Sequence, residues 1–175
     1  LGHMNRGKHW SAWVADFKSD VLICNAGAHV FGNRKFFQTK VLDRIKQELP
    51  AIKEDYHKRG KTFELVWMTQ LPPGCATEPR AIDWADYRWP HGGVYNYNQT
   101  DERDIDAKAA FAGYAEVLDV SPLKSRPDGH VGSVQSTGDC MHWCIPGPIT
   151  IIPRLMLQMM ATNQLLKVSE TDKLF

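Results

Sequence analysis

Hydrophobic and polar positions along this chain follow two periods, one typical of helices and one typical of short buried strands. In the segment HWSAWVADFKSD, residues 9–20, apolar side chains recur at helical spacing and predict an amphipathic helix. The run Val21–Cys24 is short, continuous and apolar, and it leads into Asn-Ala-Gly. This pattern predicts a buried parallel strand that ends in a loop.

The same alternation continues to the end of the chain. A long helix is predicted over residues 35–60, with a break or kink at Pro50 and a stop at Gly60. Further elements follow in the order strand, helix, strand, loop and helix, at residues 62–70, 101–113, 115–123, 124–138 and 153–168. Strands that alternate with helices predict an α/β fold with a mainly parallel sheet.

Length and composition indicate one globular domain over residues 1–175. Residues 75–100, rich in Pro, Gly, Trp, Tyr and Asn, are predicted to form an irregular surface excursion within it. The net charge is +1, from 21 basic and 20 acidic residues, which gives no clustered basic excess for nucleic acid. The sequence contains no run of 18 apolar residues, so no membrane span is predicted. The chain starts at Leu1 rather than at a methionine, which favours the interpretation that it is a piece of a longer protein.

Cysteine usage and one glycosylation sequon give a weak indication of compartment. Four cysteines permit two disulfides in three connectivities, and the candidates are Cys24, Cys75, Cys140 and Cys144. Asn98 begins the sequon Asn-Gln-Thr in a polar, turn-rich stretch. Together these features favour the lumen of the secretory pathway or the extracellular space.

The stretch GDCMHWCIPGPI, residues 138–149, concentrates chemically reactive side chains. A zinc site is disfavoured, because Cys140, His142 and Cys144 are spaced by one residue and the other two cysteines are isolated. Disulfides account for the cysteines but leave Asp139 and His142 unexplained. A histidine with a nearby carboxylate is also the general base that activates a serine nucleophile. Asn25 and Gly27, after the first strand, are candidate donors to an oxyanion.

Four segments in order resemble the PC-esterase group of SGNH hydrolase-like proteins, which includes the trichome-birefringence-like polysaccharide O-acetyltransferases. The most specific is DCMHWCIPG, similar to the group's Asp-Cys-x-His-Trp-Cys-Leu-Pro-Gly block. The others are SDVLICNAG, LVWMTQLPPG and DVSPLKSRPDGHVG, and together the four span residues 19–147. The resemblance implies a three-layer SGNH-like α/β sandwich.

The resemblance also assigns roles to matched residues. His142 is implied as the general base and Asp139 as its carboxylate partner, while Asn25 and Gly27 match the oxyanion positions. Asp128 and His130 match a recurrent pair whose role is structural or substrate-facing, and Trp143 is a further substrate-facing candidate. Cys140 and Cys144 match cysteines that form disulfides in the group. No metal and no cofactor is implied.

The chain departs from the group at the nucleophile, because it contains no Gly-Asp-Ser block. The first explanation is that the first strand and its serine come from outside this chain, which is then the C-terminal larger part of the domain. The second is that the nucleophile has been lost and the domain binds glycans or scaffolds an assembly. The third, which the apolar position of Cys24 disfavours, is that this cysteine replaces the serine.

The implied activity is acyl transfer to, or ester hydrolysis on, a carbohydrate hydroxyl, and the favoured acyl group is acetyl. The partners expected are a carbohydrate or other hydroxyl acceptor and a separate chain or segment that completes the sheet. Aromatic residues of the excursion either stack on sugar rings or cover the core: Trp84, Tyr87, Trp89, Tyr95 and Tyr97. The alternative is a nucleophile-less glycan-binding or structural subunit.

Overall fold

The fold is α/β, as the alternating pattern predicts. The computed structural model describes residues 10–26, 33–72, 99–131 and 141–162. The strands are β1 (Val21–Cys24), β2 (Glu64–Met68) and β3 (Glu116–Leu118). The helices are α1 (Trp10–Phe17), α2 (Arg34–Phe37), α3 (Asp43–Lys58), α4 (Thr100–Phe111) and α5 (Ile151–Thr162). Short 3₁₀ turns lie at Ser121–Ser125, Pro127–Gly129 and Pro148–Thr150.

The three strands form one parallel sheet in the order β1-β2-β3. Val21 pairs with Glu64 at the start of β1, and Cys24 pairs with Trp67 at its end. Met68, the last residue of β2, pairs with Leu118, the last residue of β3. Because the strands are parallel and in register, their carboxyl ends lie together at one end of the sheet. This is where α/β proteins bind ligands.

Helices cover both faces of the sheet, which gives the three-layer arrangement that the resemblance implies. Side chains alternate across a strand, so Leu65 and Trp67 of β2 face one core and Val66 faces the other. The first core packs against α1, α3 and α4, and the second packs against α5. Trp67 is completely buried in the first core, with its ring 4.9 Å from that of Phe111.

The long predicted helix is present, but its irregularity lies elsewhere than expected. Residues 34–58 are helical throughout, and α3 continues through Pro50 without the predicted break. The irregular turn is a π-helical one, Gln38–Leu42, between α2 and α3. The helix ends before Gly60, as predicted, where φ is +69°.

Both outer strands of the described sheet, β1 and β3, have an edge without a partner strand among the described residues. Within the described ranges, β1 pairs with β2 alone, and its four residues are half-buried where the middle of β2 is buried. Such an edge presents unpaired backbone groups to any further strand. The predicted excursion at 75–100 lies almost wholly outside the described residues. No helix within the described parts of the chain has the length and apolar character to cross a membrane.

Candidate functional site

Asn25 follows β1 and ties the carboxyl end of that strand to the end of β2. Its side-chain Nδ2 donates hydrogen bonds to the carbonyl oxygens of Met68, at 3.0 Å, and Thr69, at 2.9 Å. Both hydrogens of the amide group are therefore engaged by backbone. Donation to a bound oxyanion requires that Asn25 exchange one of these bonds. Gly27, the second predicted oxyanion donor, lies outside the described residues.

Residues 68–72, here called the post-β2 segment, are held from several directions. Thr69 donates its backbone N–H to the carbonyl of Leu118, and its hydroxyl accepts from the backbone N–H of Val120 at 2.8 Å. The next residue, Gln70, donates its backbone N–H to the carboxylate of Asp104 on α4 at 2.9 Å. Thr69 is completely buried, so these bonds satisfy groups that water cannot reach.

Two carboxyl groups near the post-β2 segment, those of Asp104 and Asp119, have shifted pKa values. Burial raises the pKa of Asp104 to about 7, although the Gln70 N–H opposes that shift. The carboxyl group is only 5% exposed, and its Oδ2 has no hydrogen-bond partner. For Asp119, burial also acts to raise the pKa, but hydrogen bonds from Lys108 and Ser121 outweigh it and lower the pKa to about 2. Asp119 is therefore a fixed negative charge, whereas Asp104 changes charge near neutral pH.

The segment that carries His142 is paired with the Gly129 region. His130 and Trp143 form an antiparallel bridge. The backbone N–H of Val131 donates to the carbonyl of His142 at 2.9 Å, and that of Cys144 donates to Gly129 at 2.8 Å. We call residues 129–131 and 142–144 the histidine ladder. His142 itself lies in a bend of the chain, and this pairing holds its backbone carbonyl.

His130 is the buried centre of the histidine ladder, with 1% of its surface exposed. Its Nδ1 lies 3.0 Å from the carbonyl oxygen of Pro127, and its Nε2 lies 3.0 Å from that of Pro72 in the post-β2 segment. The ring also packs on the indole of Trp143, with the centroids 4.1 Å apart. A carbonyl oxygen only accepts, so the ring makes both hydrogen bonds only when both nitrogens carry hydrogen.

Close packing beneath the ladder explains Gly129. A Cβ at this position would lie 2.8 Å from Cδ of Pro148 and 2.9 Å from Cζ3 of Trp143. No side chain larger than hydrogen fits there unless its neighbours move. The Asp-Gly-His string of the sequence therefore has a steric reason at its middle residue.

His142 is exposed, whereas Trp143 beside it is buried. The buried ring of Trp143 packs against His130, whereas His142 keeps an exposed surface next to that contact. Asp139, its predicted carboxylate partner, lies outside the described residues. The pair therefore stays a prediction, and the described geometry adds that the imidazole of His142 is accessible.

The predicted substrate-facing residues divide in two groups. His130 and Trp143 are buried against each other, which favours the structural role that the sequence left open for His130. Asp128 is paired with Arg126 through two hydrogen bonds of 2.9 Å. The hydrogen bonds from Arg126 hold the pKa of Asp128 below its ordinary value, so Asp128 is ionised.

The predicted disulfides are not seen among the described residues. Cys24 and Cys144 both carry free thiols, and Cys75 and Cys140 lie outside the described ranges, as does the sequon residue Asn98. Burial raises the pKa of the Cys24 thiol to about 12, which argues against Cys24 as a nucleophile. Within the described ranges no three His, Cys, Asp or Glu side chains lie close enough together to hold a metal ion.

Sequence reasoning missed Asp104. Its helix begins with the string Thr-Asp-Glu-Arg-Asp, which has the composition of a solvated surface turn, and no local pattern distinguishes the one acid that is buried. Gln70 carried a weak signal, since it is the last residue of the predicted buried strand at 62–70.

Comparisons with known proteins give a family match and local matches to curated relatives. Residues 67–159, more than half of the chain, match the PC-Esterase family, described as the GDSL/SGNH-like Acyl-Esterase family found in Pmr5 and Cas1p. The match includes the post-β2 segment and the whole histidine ladder. No solved structure matches the chain significantly.

Two curated relatives share its sequence locally. Xyloglucan O-acetyltransferase 1 from Arabidopsis thaliana is 34% identical over 86 residues, covering 39% of this chain and 21% of the relative. Xyloglucan O-acetyltransferase 4 from Populus trichocarpa is 44% identical over 48 residues, covering 23% of this chain and 11% of the relative. The matched part of the chain thus spans about a fifth of the first relative and less of the second.

Proposed function

This chain belongs to the PC-esterase family of GDSL/SGNH-like acyl-esterases, and from that membership we propose that it supplies the acid–base half of a site for O-acetyl transfer or ester hydrolysis on a carbohydrate. The observation that carries the proposal is the histidine ladder. It presents an accessible His142 beside a buried framework that is bonded to the carboxyl end of the central strand.

In the proposed reaction a serine hydroxyl attacks the carbonyl carbon of an acetyl ester. His142 takes the hydroxyl proton, while Asp139 orients the ring and stabilises the imidazolium. The carbonyl oxygen becomes an oxyanion that accepts from the N–H of Gly27 and from Asn25. When the C–O bond breaks, His142 returns the proton to the leaving alcohol. A sugar hydroxyl or water then attacks the acetyl-serine by the same steps in reverse.

We propose that the serine lies on a strand outside this chain. The open edge of β1 supports this, because a parallel strand added there would end beside Asn25, at the edge of the sheet that carries the ladder. Pairing at that edge would also cover the half-buried residues of β1. Whether that strand belongs to the same polypeptide or to a partner chain, the geometry required at β1 is the same.

The names of the relatives guide the choice of substrate. Both matched relatives are xyloglucan O-acetyltransferases, so we propose a polysaccharide hydroxyl as the acceptor. We place the reaction in the lumen of the secretory pathway or outside the cell, where a glycan at Asn98 would be added.

A second candidate is a non-catalytic subunit that binds glycans or completes an assembly. The absence of a Gly-Asp-Ser block from the 175 residues favours it. It requires the same strand-binding edge at β1 but no serine beside His142. The two candidates therefore differ in one testable residue.

The deciding experiment uses the native assembly, purified through a tag on this chain and treated with a fluorophosphonate probe. We expect an adduct on a serine that co-purifies with the chain and lies outside it. The adduct should be lost in His142→Ala and kept in His57→Ala, which changes an exposed histidine on α3. An intact assembly without an adduct would favour the non-catalytic subunit, and an adduct on Ser121 or Ser125 would contradict an external serine.

A further inference from the structure

If His142 acts as a base, its position relative to the sheet must be fixed. The histidine ladder supplies the first link, because the Val131 N–H bonds the carbonyl of His142 itself. His130, one residue earlier, supplies the second link. Its Nε2 reaches the carbonyl of Pro72, four residues beyond the end of β2.

The far end of this connection is rigid. The post-β2 segment is held by Asn25 at Met68 and Thr69, and by Asp104 at Gln70. The second ring nitrogen of His130 is bonded to Pro127, at the start of the 3₁₀ turn before the ladder. One imidazole ring thus joins the central strand, that turn and the ladder.

The contact with Trp143 further restrains the segment that carries His142. The two rings lie 4.1 Å apart, and Gly129 lets Trp143 and Pro148 pack directly under the ladder. Because Trp143 adjoins His142 and the carbonyl of His142 is bonded to Val131, restraining Trp143 also restrains the backbone of His142.

We propose that His130 is a positioning residue for His142: bonded through both ring nitrogens to the carbonyls of Pro72 and Pro127, it clamps the histidine ladder to the carboxyl end of β2. The importance of the clamp for catalysis rests on the proposed function. The geometry of the clamp does not depend on that function, so the clamp and the proposed function can be tested separately.

The test is NMR spectroscopy of the isotope-labelled chain and of His130→Phe. Phenylalanine keeps a ring against Trp143 but removes both hydrogen bonds. We expect amide hydrogen exchange at Val131 and Cys144 to accelerate at least about tenfold, because two bonds that restrain the ladder are lost. The ring resonances of His142 should shift towards those of a free histidine. Exchange at Leu65, Val66 and Trp67 should stay within about twofold of the original chain.

The matched control is His57→Phe, which changes an exposed histidine at the end of α3 and should alter neither His142 nor the ladder. Unchanged His142 resonances in a folded His130→Phe chain would overturn the clamp. If that variant does not fold, the unsubstituted chain still decides. Two slowly exchanging ring N–H protons on His130 at neutral pH support the clamp, and a ring nitrogen without hydrogen contradicts it.

This result is independent of the fluorophosphonate experiment. A native assembly without a reactive serine would remove the proposed function and leave the NMR result standing. An intact adduct together with unchanged His142 resonances in His130→Phe would remove the clamp and leave the proposed function standing.

Discussion

The post-β2 segment and the segment that carries His142, residues 142–144, are both connected to His130, but they are built in opposite ways. In the post-β2 segment the backbone is bonded to Asn25, Asp104, Leu118 and His130, and Thr69 has no exposed surface. His142 is exposed, and residues 142–144 are bonded to residues 129–131.

This contrast shows how the candidate base can be accessible to substrate and still be accurately placed. A general base has to reach its substrate, so it cannot be buried as deeply as a core residue. A segment that is bonded to a buried neighbour can nevertheless be placed accurately. The buried post-β2 segment supplies the reference position, and the exposed His142 supplies the reacting group. Each of the following changes tests one side of this division.

The largest effect is expected on the exposed side. His142→Ala should lower acetyl transfer by the native assembly by at least roughly 10³-fold, because the nucleophile loses its base. The free energy of unfolding should change by less than about 0.5 kcal/mol, since the side chain is exposed. Turnover of an acetylated polysaccharide and urea unfolding measure the two quantities. Retained activity in this variant, with His57→Ala as the reference, would exclude His142 as the base.

On the buried side, Asn25→Ala should destabilise the chain by about 2–4 kcal/mol, because the carbonyls of Met68 and Thr69 both lose their donor. Asn25→Asp should cost more, since a carboxylate places only acceptor oxygens against those two carbonyls. Urea unfolding measures both variants. Asn33→Ala removes the side-chain cap of α2 and should cost only about 1 kcal/mol. If Asn25→Asp is as stable as Asn25→Ala, the bonds to β2 do not restrain Asn25.

The pH dependence of stability tests the carboxyl group that holds Gln70. The pKa of Asp104 is raised to about 7 in the folded chain, above its ordinary value of 3.8, so between these values the folded state binds a proton that the unfolded state does not. This stabilisation is complete below pH 3.8 and is lost as the pH rises through 7. Between pH 5 and pH 8 the loss should be about 2 kcal/mol.

The control for this prediction is Asp104→Asn, which keeps an oxygen to accept from Gln70 and has no charge to titrate. Urea unfolding of both chains at several pH values gives the comparison. We expect the substituted chain to lose less stability on going from pH 5 to pH 8. Parallel pH profiles for the two chains would show that Asp104 does not titrate in this range.

The smallest effect is expected at Gly129, where Trp143 and Pro148 pack under the histidine ladder. Gly129→Ala should cost about 1–3 kcal/mol, because the added methyl group overlaps Pro148 and Trp143. Gly113→Ala is the matched substitution, since its methyl group would meet nothing within 4 Å and its cost comes from a φ of +75° alone. The two variants should differ in the ladder: only Gly129→Ala should change the resonances of Trp143 and His142. Identical ladder resonances in both would mean that the packing under the ladder tolerates a methyl group.

Much of the fold could be predicted from local patterns. The strands at Val21–Cys24 and Glu64–Met68, the long helix before Gly60 and the apolar last helix all lie where periodicity predicts them. Of the predicted break or kink at Pro50, the break is absent, because α3 continues through this residue; the irregular turn lies earlier, at Gln38–Leu42. Tertiary packing decides such a case, since buried contacts along a helix outweigh the cost of one missing backbone bond.

The candidate site was predictable only in part. The residue types at the strand ends and the Asp-Cys-x-His-Trp-Cys string are visible in the sequence, and they identified the family that the profile match then showed. The burial of His130, the two carbonyl partners of Asn25 and the buried carboxyl group of Asp104 were not visible. Asp104 in particular resembles its solvated neighbours in every local respect.

The sequence by itself determined the order of strands and helices, the family and the identity of the candidate base. Each of these depends on neighbouring residues or on a short sequence motif, so each can be predicted from local sequence. Only the tertiary structure decided which polar groups meet: Asn25 bonds 43 residues away, Gln70 bonds 34 residues away, and His130 reaches Pro72 across 58 residues. Such partners are chosen by the packing of the whole chain, because a polar group removed from water must bond whichever group the fold brings to it.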